Sequence, residues 1–318
     1  MKEIDRVLIV GAGAVGAAVA SAIHTRLPGS VSVLADGERL ERYRQNGFIV
    51  NGKRYDFPLA SIDKVEKFDL VIISVKHHHQ DAAIELMQPF VSQETSIISL
   101  LNGISSEEIL GAAFGPGPGA PENTKLPPYA MVLGIDAVRV GNDTRFESPG
   151  KIFFGETKND PENLSPRVAR IARFFDKAGV AYVVSENMYR SLWYKFMINV
   201  GINQASAILR APYSIFQTQP DALSLMQTLM REVIAVSQAI GVNLDESDLH
   251  NWETTLAALH GDNLTSMCQD VLAKRKTEVE LFAGTIRELG KKHAVPTPAN
   301  EFCFHLLRAM ELNYSLLD

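Results

Sequence analysis

The sequence predicts an α/β domain built on a parallel sheet, followed by an all-α domain. In the first half, short continuous apolar runs such as DLVIISV (69–75) and SIISLL (96–101) alternate with amphipathic segments. Such runs are typical of strands that are buried on both faces of a parallel sheet. After about Ser185 only helical periodicity remains, so we place the two domains at residues 1–185 and 186–318.

The other elements of the first domain are predicted in the order strand, helix, strand, helix at residues 6–10, 14–25, 31–34 and 38–46. The Gly- and Pro-rich stretch 114–128 predicts a surface loop. Beyond it we expect a β-rich stretch, a helix and a strand at 129–155, 165–178 and 181–184. The second domain is predicted to contain helices at 188–209, 222–240, 246–258, 264–289 and 300–312.

The composition is that of a globular protein without nucleic-acid or membrane partners. Of 318 residues, 46% are hydrophobic and 21% charged, and the formal net charge is −6. A nucleic-acid binder usually needs a basic face, and no segment approaches the roughly eighteen apolar residues of a membrane span. The two cysteines, Cys268 and Cys303, form no metal or disulfide pattern. The first apolar run is too short for a signal peptide, so we expect a cytoplasmic protein.

Residues 11–16 read GAGAVG and match the G-x-G-x-x-G pattern of dinucleotide-binding Rossmann domains. A predicted strand precedes the pattern and a predicted helix follows it, as the pattern requires. Its three glycines permit a tight turn, a close approach of the pyrophosphate and close packing of the helix on the strand. The predicted cofactor contacts are Gly11, Ala12, Gly13, Ala14, Val15 and Gly16. The structural alternative is a Gly/Ala-rich helix that merely packs tightly.

Asp36 lies about twenty residues after Gly16, at the end of the second predicted strand. A carboxylate there accepts hydrogen bonds from the adenosine ribose hydroxyls and repels a 2′-phosphate, which favours NADH. Three arginines follow and could compensate for a phosphate, so the sequence leaves NADPH open; they are Arg39, Arg42 and Arg44. The structural alternative for Asp36 is an ordinary helix N-cap.

Two more polar residues follow predicted strands at the edge where ligands bind in open α/β sheets. Lys76 comes after DLVIISV, and Asn102 with Gly103 comes after SIISLL. We predict that Lys76 and Asn102 contact the cofactor, with Asn102 beside the nicotinamide. A simple turn at the strand end is the alternative for Asn102 and Gly103. The three histidines at 77–79 point in different directions on a helix or strand, which favours a solvated helix start over a metal site.

Lys195, Asn199 and Asn203 are the polar residues of an otherwise apolar helical segment. Their i, i+4, i+8 spacing places them on one helical face, with a drift of about 40° per step. A lysine on such a helix must reach solvent or face a polar cleft, and buried amides need partners. The two asparagines favour the cleft over a solvated face.

A weaker polar set follows near residues 262–280. Asn263 and Ser266 are candidates to anchor a substrate carboxylate, and Glu278 is a candidate to touch substrate hydroxyls or a proton path. The structural alternatives are a helix-start residue for Ser266 and a surface charge for Glu278.

Together with the blocks LWYKFMINVGINQASAI and DNLTSMCQDVLAKRKTEVELFAG, these residues make the whole chain resemble the ketopantoate reductase family. The resemblance implies a Rossmann domain and an all-α domain, with the active site in the cleft between them. It implies that Lys195 is the general acid that protonates the keto oxygen as hydride arrives, and that Glu278 contacts the substrate. The polar substrate contacts that it implies are Asn102, Asn199, Asn203, Asn263 and Ser266.

Three residues depart from the family's pattern. Asp36 stands where NADP-dependent members carry arginine, and Gln204 replaces the proline that follows the asparagine of the lysine helix. Tyr213 stands where an asparagine that holds a substrate hydroxyl is often found.

The expected reaction is therefore the reduction of 2-dehydropantoate to pantoate by NAD(P)H. The alternative is an NAD-dependent D-2-hydroxyacid dehydrogenase of the mandelate or branched-chain type on the same scaffold, which Asp36 and Tyr213 favour. A non-catalytic dinucleotide sensor is more remote, because neither the lysine nor the asparagines are lost. We expect a small 2-keto acid as the partner and no metal, and we leave open whether the chain forms a homodimer.

Overall fold

The computed structural model describes residues 1–122 and 124–314. The chain divides into two units, Met1–Tyr189 and Arg190–Asp318. The first unit alternates strands and helices, and the second is helical. None of the helices in these two described ranges is long and apolar enough to cross a membrane.

The described residues of the first unit contain twelve strands, most of them short. In chain order they are β1 (Val7–Val10), β2 (Val31–Leu34), β3 (Phe48–Val50), β4 (Lys53–Tyr55), β5 (Leu59–Ala60), β6 (Leu70–Ile73), β7 (Ser96–Ser99), β8 (Tyr129–Ile135), β9 (Val138–Val140), β10 (Asp143–Arg145), β11 (Pro149–Gly155) and β12 (Tyr182–Val184). Its helices are α1 (Ala14–Arg26), α2 (Gly37–Asn46), α3 (Gln80–Met87), α4 (Ser106–Phe114) and α5 (Pro166–Ala178).

The central sheet has the order β5-β2-β1-β6-β7, and every pair in it is parallel. The predicted Rossmann-like sheet is therefore confirmed. The β-rich stretch that was predicted near 129–155 is split between two smaller sheets. One has the order β12-β11-β8, and the other has the order β4-β3-β10-β9. The sequence did not predict β3, β4 and β5, because strands of two or three residues are too short to show periodicity.

Successive residues of the central strands contribute to two separate apolar cores. Val7 and Ile9 of β1 belong to one core, whereas Leu8 and Val10 belong to the other. This alternation arises because neighbouring side chains of a strand point to opposite faces. Both faces of the sheet are covered, which is why β1 and β6 read as continuous apolar runs in the sequence.

The Gly- and Pro-rich stretch predicted as a surface loop begins after α4 and runs to β8; its residue 123 lies outside the described residues. It is anchored rather than loose. The guanidinium of Arg167, which is 2% exposed, donates to the carbonyl oxygens of Pro116 and Leu126. The same guanidinium pairs with the Glu156 carboxylate. A buried charge is tolerated here because all of these partners satisfy it.

The helical unit begins within α6 (Met188–Ile198) and continues with α7 (Gln204–Leu209), α8 (Tyr213–Thr218), α9 (Pro220–Ala239), α10 (Glu246–Ala258), α11 (Ser266–Leu272), α12 (Thr285–Lys292) and α13 (Pro298–Asn313). Up to residue 314, two π-helical turns interrupt this unit. The first π-turn (Asn199–Asn203) joins α6 to α7, and the second π-turn (Glu280–Gly284) precedes α12.

The single helix predicted over 264–289 is wrong, because α11 ends at Leu272 and a non-helical stretch follows. Lys274 adopts a left-handed backbone with φ of 52°, which terminates the helix. The Arg275 side chain then pairs with Asp270 at 3.0 Å, and its backbone N–H donates to the Asp270 carbonyl at 2.8 Å. The apolar periodicity of this region comes from separate short elements on either side of the break.

Candidate active site

The glycine-rich turn joins β1 to α1 and has the shape that a dinucleotide needs. Gly11 has a φ of +94°, a backbone conformation that residues other than glycine rarely adopt. A Cβ at Gly16 would overlap the Gly11 carbonyl oxygen and lie 2.5 Å from Ser74 Oγ. At Gly13, by contrast, the nearest atom would be 4.0 Å away, so a ligand can approach the backbone there. The backbone therefore requires glycine at Gly11 and Gly16 and is open at Gly13, while the cofactor contacts of these residues stay predictions.

The N-terminus of α1 leaves its first N–H groups available to a ligand. Gly13 occupies the N-cap and supplies no side-chain cap, so Ala14, Val15 and Gly16 open the helix with uncapped N–H groups. Such groups and the helix dipole together favour a phosphate. These residues fit a dinucleotide pyrophosphate.

Two residues that support the turn were not predicted from the sequence. The hydroxyl of Ser74, just beyond β6, donates to the Gly11 carbonyl at 2.6 Å. The guanidinium of Arg139, in β9, donates to the Ala12 carbonyl. Ser74 follows an apolar strand directly, which is a signal that the sequence did contain. Arg139 is distant in sequence, and only the folded chain brings it to the turn.

Asp36 stands at the carboxyl end of the central sheet, beyond β2, and its side chain is exposed. It occupies the N-cap position of α2 but makes no side-chain cap bond. The Asp36 side chain therefore does not cap α2, contrary to the structural alternative. Of the arginines nearby, Arg44 pairs with Glu41 at 2.6 Å and Arg42 lies over the Tyr43 ring.

Lys76 and Asn102 lie at the same edge of the sheet, after β6 and β7. Both are partly buried and both have interaction partners in the structure. His77–His79 forms a short 3-10 helix that leads into α3. Within residues 1–122 and 124–314, no cluster of three His, Cys, Asp or Glu side chains could hold a metal ion.

In the helical unit, Lys195 is a buried cation and Glu278 a buried carboxylate. They are 9% and 5% exposed. Burial lowers the pKa of Lys195 to about 8, although the Glu278 charge opposes this shift. The structural alternatives of a surface lysine and a surface glutamate are therefore wrong. A lysine with this pKa is mostly an ammonium at neutral pH and can still release its proton.

Glu278 owes its position to the break that the sequence did not predict. The preceding Thr277 donates its backbone N–H to Glu311 of α13 at 2.7 Å. The Glu278 carbonyl then accepts from Phe282 N–H at 3.0 Å, which leads into the second π-turn. The carboxylate is thus presented from a fixed loop rather than from a helix face.

Asn199 and Asn203 lie at the two ends of the first π-turn. Asn203 Nδ2 donates to Asn199 Oδ1 at 3.3 Å. Asn199 Nδ2 is buried and has no hydrogen-bond partner among the described residues. A buried donor without a partner is costly, and a substrate oxygen would satisfy it.

Asn263 and Ser266 are both exposed. The Asn263 carbonyl accepts from the Tyr213 N–H at 3.0 Å, so these two residues are neighbours. Ser266 is the first residue of α11, whose N-cap is Thr265, with Oγ1 accepting from Cys268 N–H at 3.1 Å. The Ser266 hydroxyl is therefore not used as the cap.

Two family models match this chain and together cover most of it. Ketopantoate reductase PanE/ApbA matches residues 7–159, and ketopantoate reductase PanE/ApbA C terminal matches residues 187–311. The chain belongs to the ketopantoate reductase family. It is thus an oxidoreductase of the 2-dehydropantoate 2-reductase-like type, as the resemblance implied.

Similar proteins carry two kinds of name. A 2-dehydropantoate 2-reductase of Aquifex aeolicus is 28% identical, with 99% of each chain covered. A D-mandelate dehydrogenase solved with NADH and anilino(oxo)acetate is 22% identical, with a TM-score of 0.82 and coverage of 96% of this chain and 98% of that one. A dimeric ketopantoate reductase from Staphylococcus aureus is 23% identical, with a TM-score of 0.78 and coverage of 97% and 99%. Both structures share the fold of this chain.

Proposed function

We propose that this member of the family reduces a small 2-keto acid with NADH, and that 2-dehydropantoate is its substrate. The observation that carries the proposal is Lys195, a buried lysine with a pKa of about 8 beside the Glu278 carboxylate. The lysine can stabilise an alkoxide and donate a proton near neutral pH.

When bound, the nicotinamide supplies a hydride. As the substrate's keto carbon accepts it, the C=O π pair moves onto oxygen, and the Lys195 ammonium gives that oxygen its proton. Lys195 is then neutral and regains a proton from solvent. Glu278 favours the ammonium form by its charge. Asn199 and Asn203 are proposed to hold the substrate's oxygens, with Asn102, Asn263 and Ser266 as further contacts.

The cofactor preference is proposed to be NADH rather than NADPH. Asp36 supports it, because its exposed carboxylate stands at the edge of the sheet beyond β2 without capping α2. A carboxylate there bonds ribose hydroxyls and disfavours a 2′-phosphate. The D-mandelate dehydrogenase of similar fold, solved with NADH, is consistent with this preference.

The second candidate function is an NAD-dependent D-2-hydroxyacid dehydrogenase of the mandelate type. Asp36 and Tyr213 favour it, because Tyr213 brings a largely apolar ring where the family pattern has a small amide. Tyr213 lies beside Asn263 and is partly buried. An aromatic ring there suits an aryl or branched side chain of the substrate better than the hydroxyl of 2-dehydropantoate.

A homodimer is also proposed, by analogy with the dimeric Staphylococcus aureus protein.

A panel of 2-keto acids separates the two candidates. We expect NADH oxidation, followed by absorbance, to be fastest with 2-dehydropantoate. A kcat/KM at least about tenfold higher with phenylglyoxylate or a branched 2-keto acid would select the dehydrogenase instead. If no 2-keto acid of the panel is reduced while NADH still binds in a fluorescence titration, a non-catalytic dinucleotide sensor is the remaining candidate.

The pH dependence of reduction is expected to report Lys195. Because the general acid must be protonated, kcat should fall as the pH rises through about 8. Glu278→Gln removes the charge that raises the pKa of Lys195, so the fall should begin at lower pH. Glu280, exposed and two residues away, provides the matched control Glu280→Gln. An unchanged profile in Glu278→Gln would show that another group limits the reaction.

A further inference from the structure

The first π-turn leaves one backbone carbonyl without its ordinary α-helical partner, and the side chain of Gln204 takes that place. In an α-helix, the Val200 carbonyl would accept from the backbone N–H of Gln204. Here that N–H donates to the Gly201 carbonyl. The side-chain Nε2 of Gln204 donates to the Val200 carbonyl at 2.7 Å. Gln204, which directly follows the π-turn, therefore stabilises the turn with its side chain.

A chain of buried polar groups continues from Gln204 to two other helices. Its Nε2 also donates to Asn300 Oδ1, in α13, at 3.1 Å. Asn300 Nδ2 in turn donates to Glu232 Oε2, in α9, at 2.7 Å. Gln204 and Asn300 are both 0% exposed. Both Nε2 hydrogens of Gln204 are thereby donated, whereas its buried Oε1 has no hydrogen-bond partner among the described residues.

Glu232 fixes the far end of this series of hydrogen bonds. Its carboxylate accepts the backbone N–H groups of Ala299 and Asn300, at 2.8 and 2.9 Å. These are N–H groups of the first turn of α13, where a negative charge is favoured. The carboxylate therefore fixes the orientation of the Asn300 amide, and the Asn300 amide oxygen in turn fixes the orientation of the Gln204 amide.

The π-turn is also pressed directly onto α9. A Cβ at Gly201 would overlap the Met230 side chain and lie 3.1 Å from the Met226 carbonyl oxygen. The turn is therefore held on one side by close packing and on the other by the Gln204 amide. Asn199 and Asn203, at its two ends, have little freedom to move apart. Turns of this π type occur frequently at functional sites.

We propose that Gln204, Asn300 and Glu232 are positioning residues that hold the first π-turn so that Asn199 and Asn203 meet the substrate. The inference rests on the proposed function, because it assigns the two asparagines to substrate binding. None of the three residues needs to touch substrate. They act through the geometry of the turn.

The test is Gln204→Met, which keeps the length of the side chain and removes both donated hydrogen bonds. We expect KM for the preferred 2-keto acid to rise about tenfold to a hundredfold, since small misplacements have effects of that size. The Kd of NADH should stay within about twofold, since Gln204 lies in the other unit from the glycine-rich turn.

The matched control is Ser237→Ala. Ser237 is also 0% exposed and accepts the Leu244 N–H at 3.1 Å, in the same unit but not at the π-turn. Both variants should lower Tm, whereas only Gln204→Met should raise KM. Equal KM values in the two variants would overturn the proposal, because a purely structural role predicts that result.

A second variant and a second readout keep the inference testable. If Gln204→Met does not fold, Glu232→Gln is the second variant, because Glu232 is the partly exposed end of the hydrogen-bond network. It should also raise KM, but by a smaller factor. If the wild type reduces no 2-keto acid, the proposed function has failed. A crystal structure of either variant then decides the inference: loss of the π-turn supports it, and an unchanged turn with the Asn203–Asn199 bond intact overturns it.

Discussion

Lys195→Ala is expected to lower kcat for 2-keto acid reduction by about a hundredfold to ten-thousandfold. The substitution removes the proton donor and the positive charge opposite the developing alkoxide, and general acid catalysis has effects of this size. The Kd of NADH should change little, because the glycine-rich turn belongs to the other unit. Steady-state kinetics together with a fluorescence titration of NADH measure both quantities.

Two further variants show which property of Lys195 matters. Lys195→Arg keeps the charge but does not release a proton at ordinary pH, so kcat should stay low. Lys292→Ala removes an exposed lysine of α12 and should leave kcat unchanged. Near-normal turnover in Lys195→Ala would assign the proton to another donor and would remove the main support for the proposed mechanism.

Asp36→Arg is expected to shift cofactor preference from NADH to NADPH. The substitution removes hydrogen bonds from the ribose hydroxyls to a carboxylate, and each such charged bond contributes about 1.5–3 kcal/mol. The NADH Kd should therefore rise by about tenfold or more, while the added cation should attract the 2′-phosphate. The measurement is kcat/KM for both cofactors with one 2-keto acid.

Glu41→Arg makes the same change of charge on α2, at an exposed residue that now pairs with Arg44. It should alter the NADH-to-NADPH ratio much less than Asp36→Arg does. If the wild type already uses NADPH with far higher kcat/KM, then neighbouring cations outweigh Asp36, and the preference proposed from this residue is wrong.

Local patterns of the sequence were sufficient to predict four of the five strands of the central sheet and the dinucleotide turn. Strands β1 and β6 are buried on both faces and contain only apolar residues, so they are easily recognised; β7, also buried, keeps two isoleucines between its serines. Gly11 and Gly16 are required by their immediate surroundings, one by its φ and the other by its contact with the preceding turn. Such constraints act over a few residues and are therefore visible in a sequence.

The polar face of the lysine helix was only partly predictable. The spacing of Lys195, Asn199 and Asn203 indicated one face of a regular α-helix, but a π-turn separates the two asparagines. Whether Lys195 reached solvent depended on what packs around it, which spacing cannot reveal. The roles of these residues in catalysis stay predictions.

The sequence by itself determined the order of the two domains, the parallel sheet except for its edge strand β5, and the glycine-rich turn, because each of these depends on periodicity or on local backbone geometry. Only the tertiary structure decided the burial that lowers the pKa of Lys195 and the break that presents Glu278. It also decided the hydrogen-bond chain from Gln204 to Asn300 and Glu232. These features join residues that are distant in sequence, and their energies arise from desolvation and from partners that only the folded chain brings together.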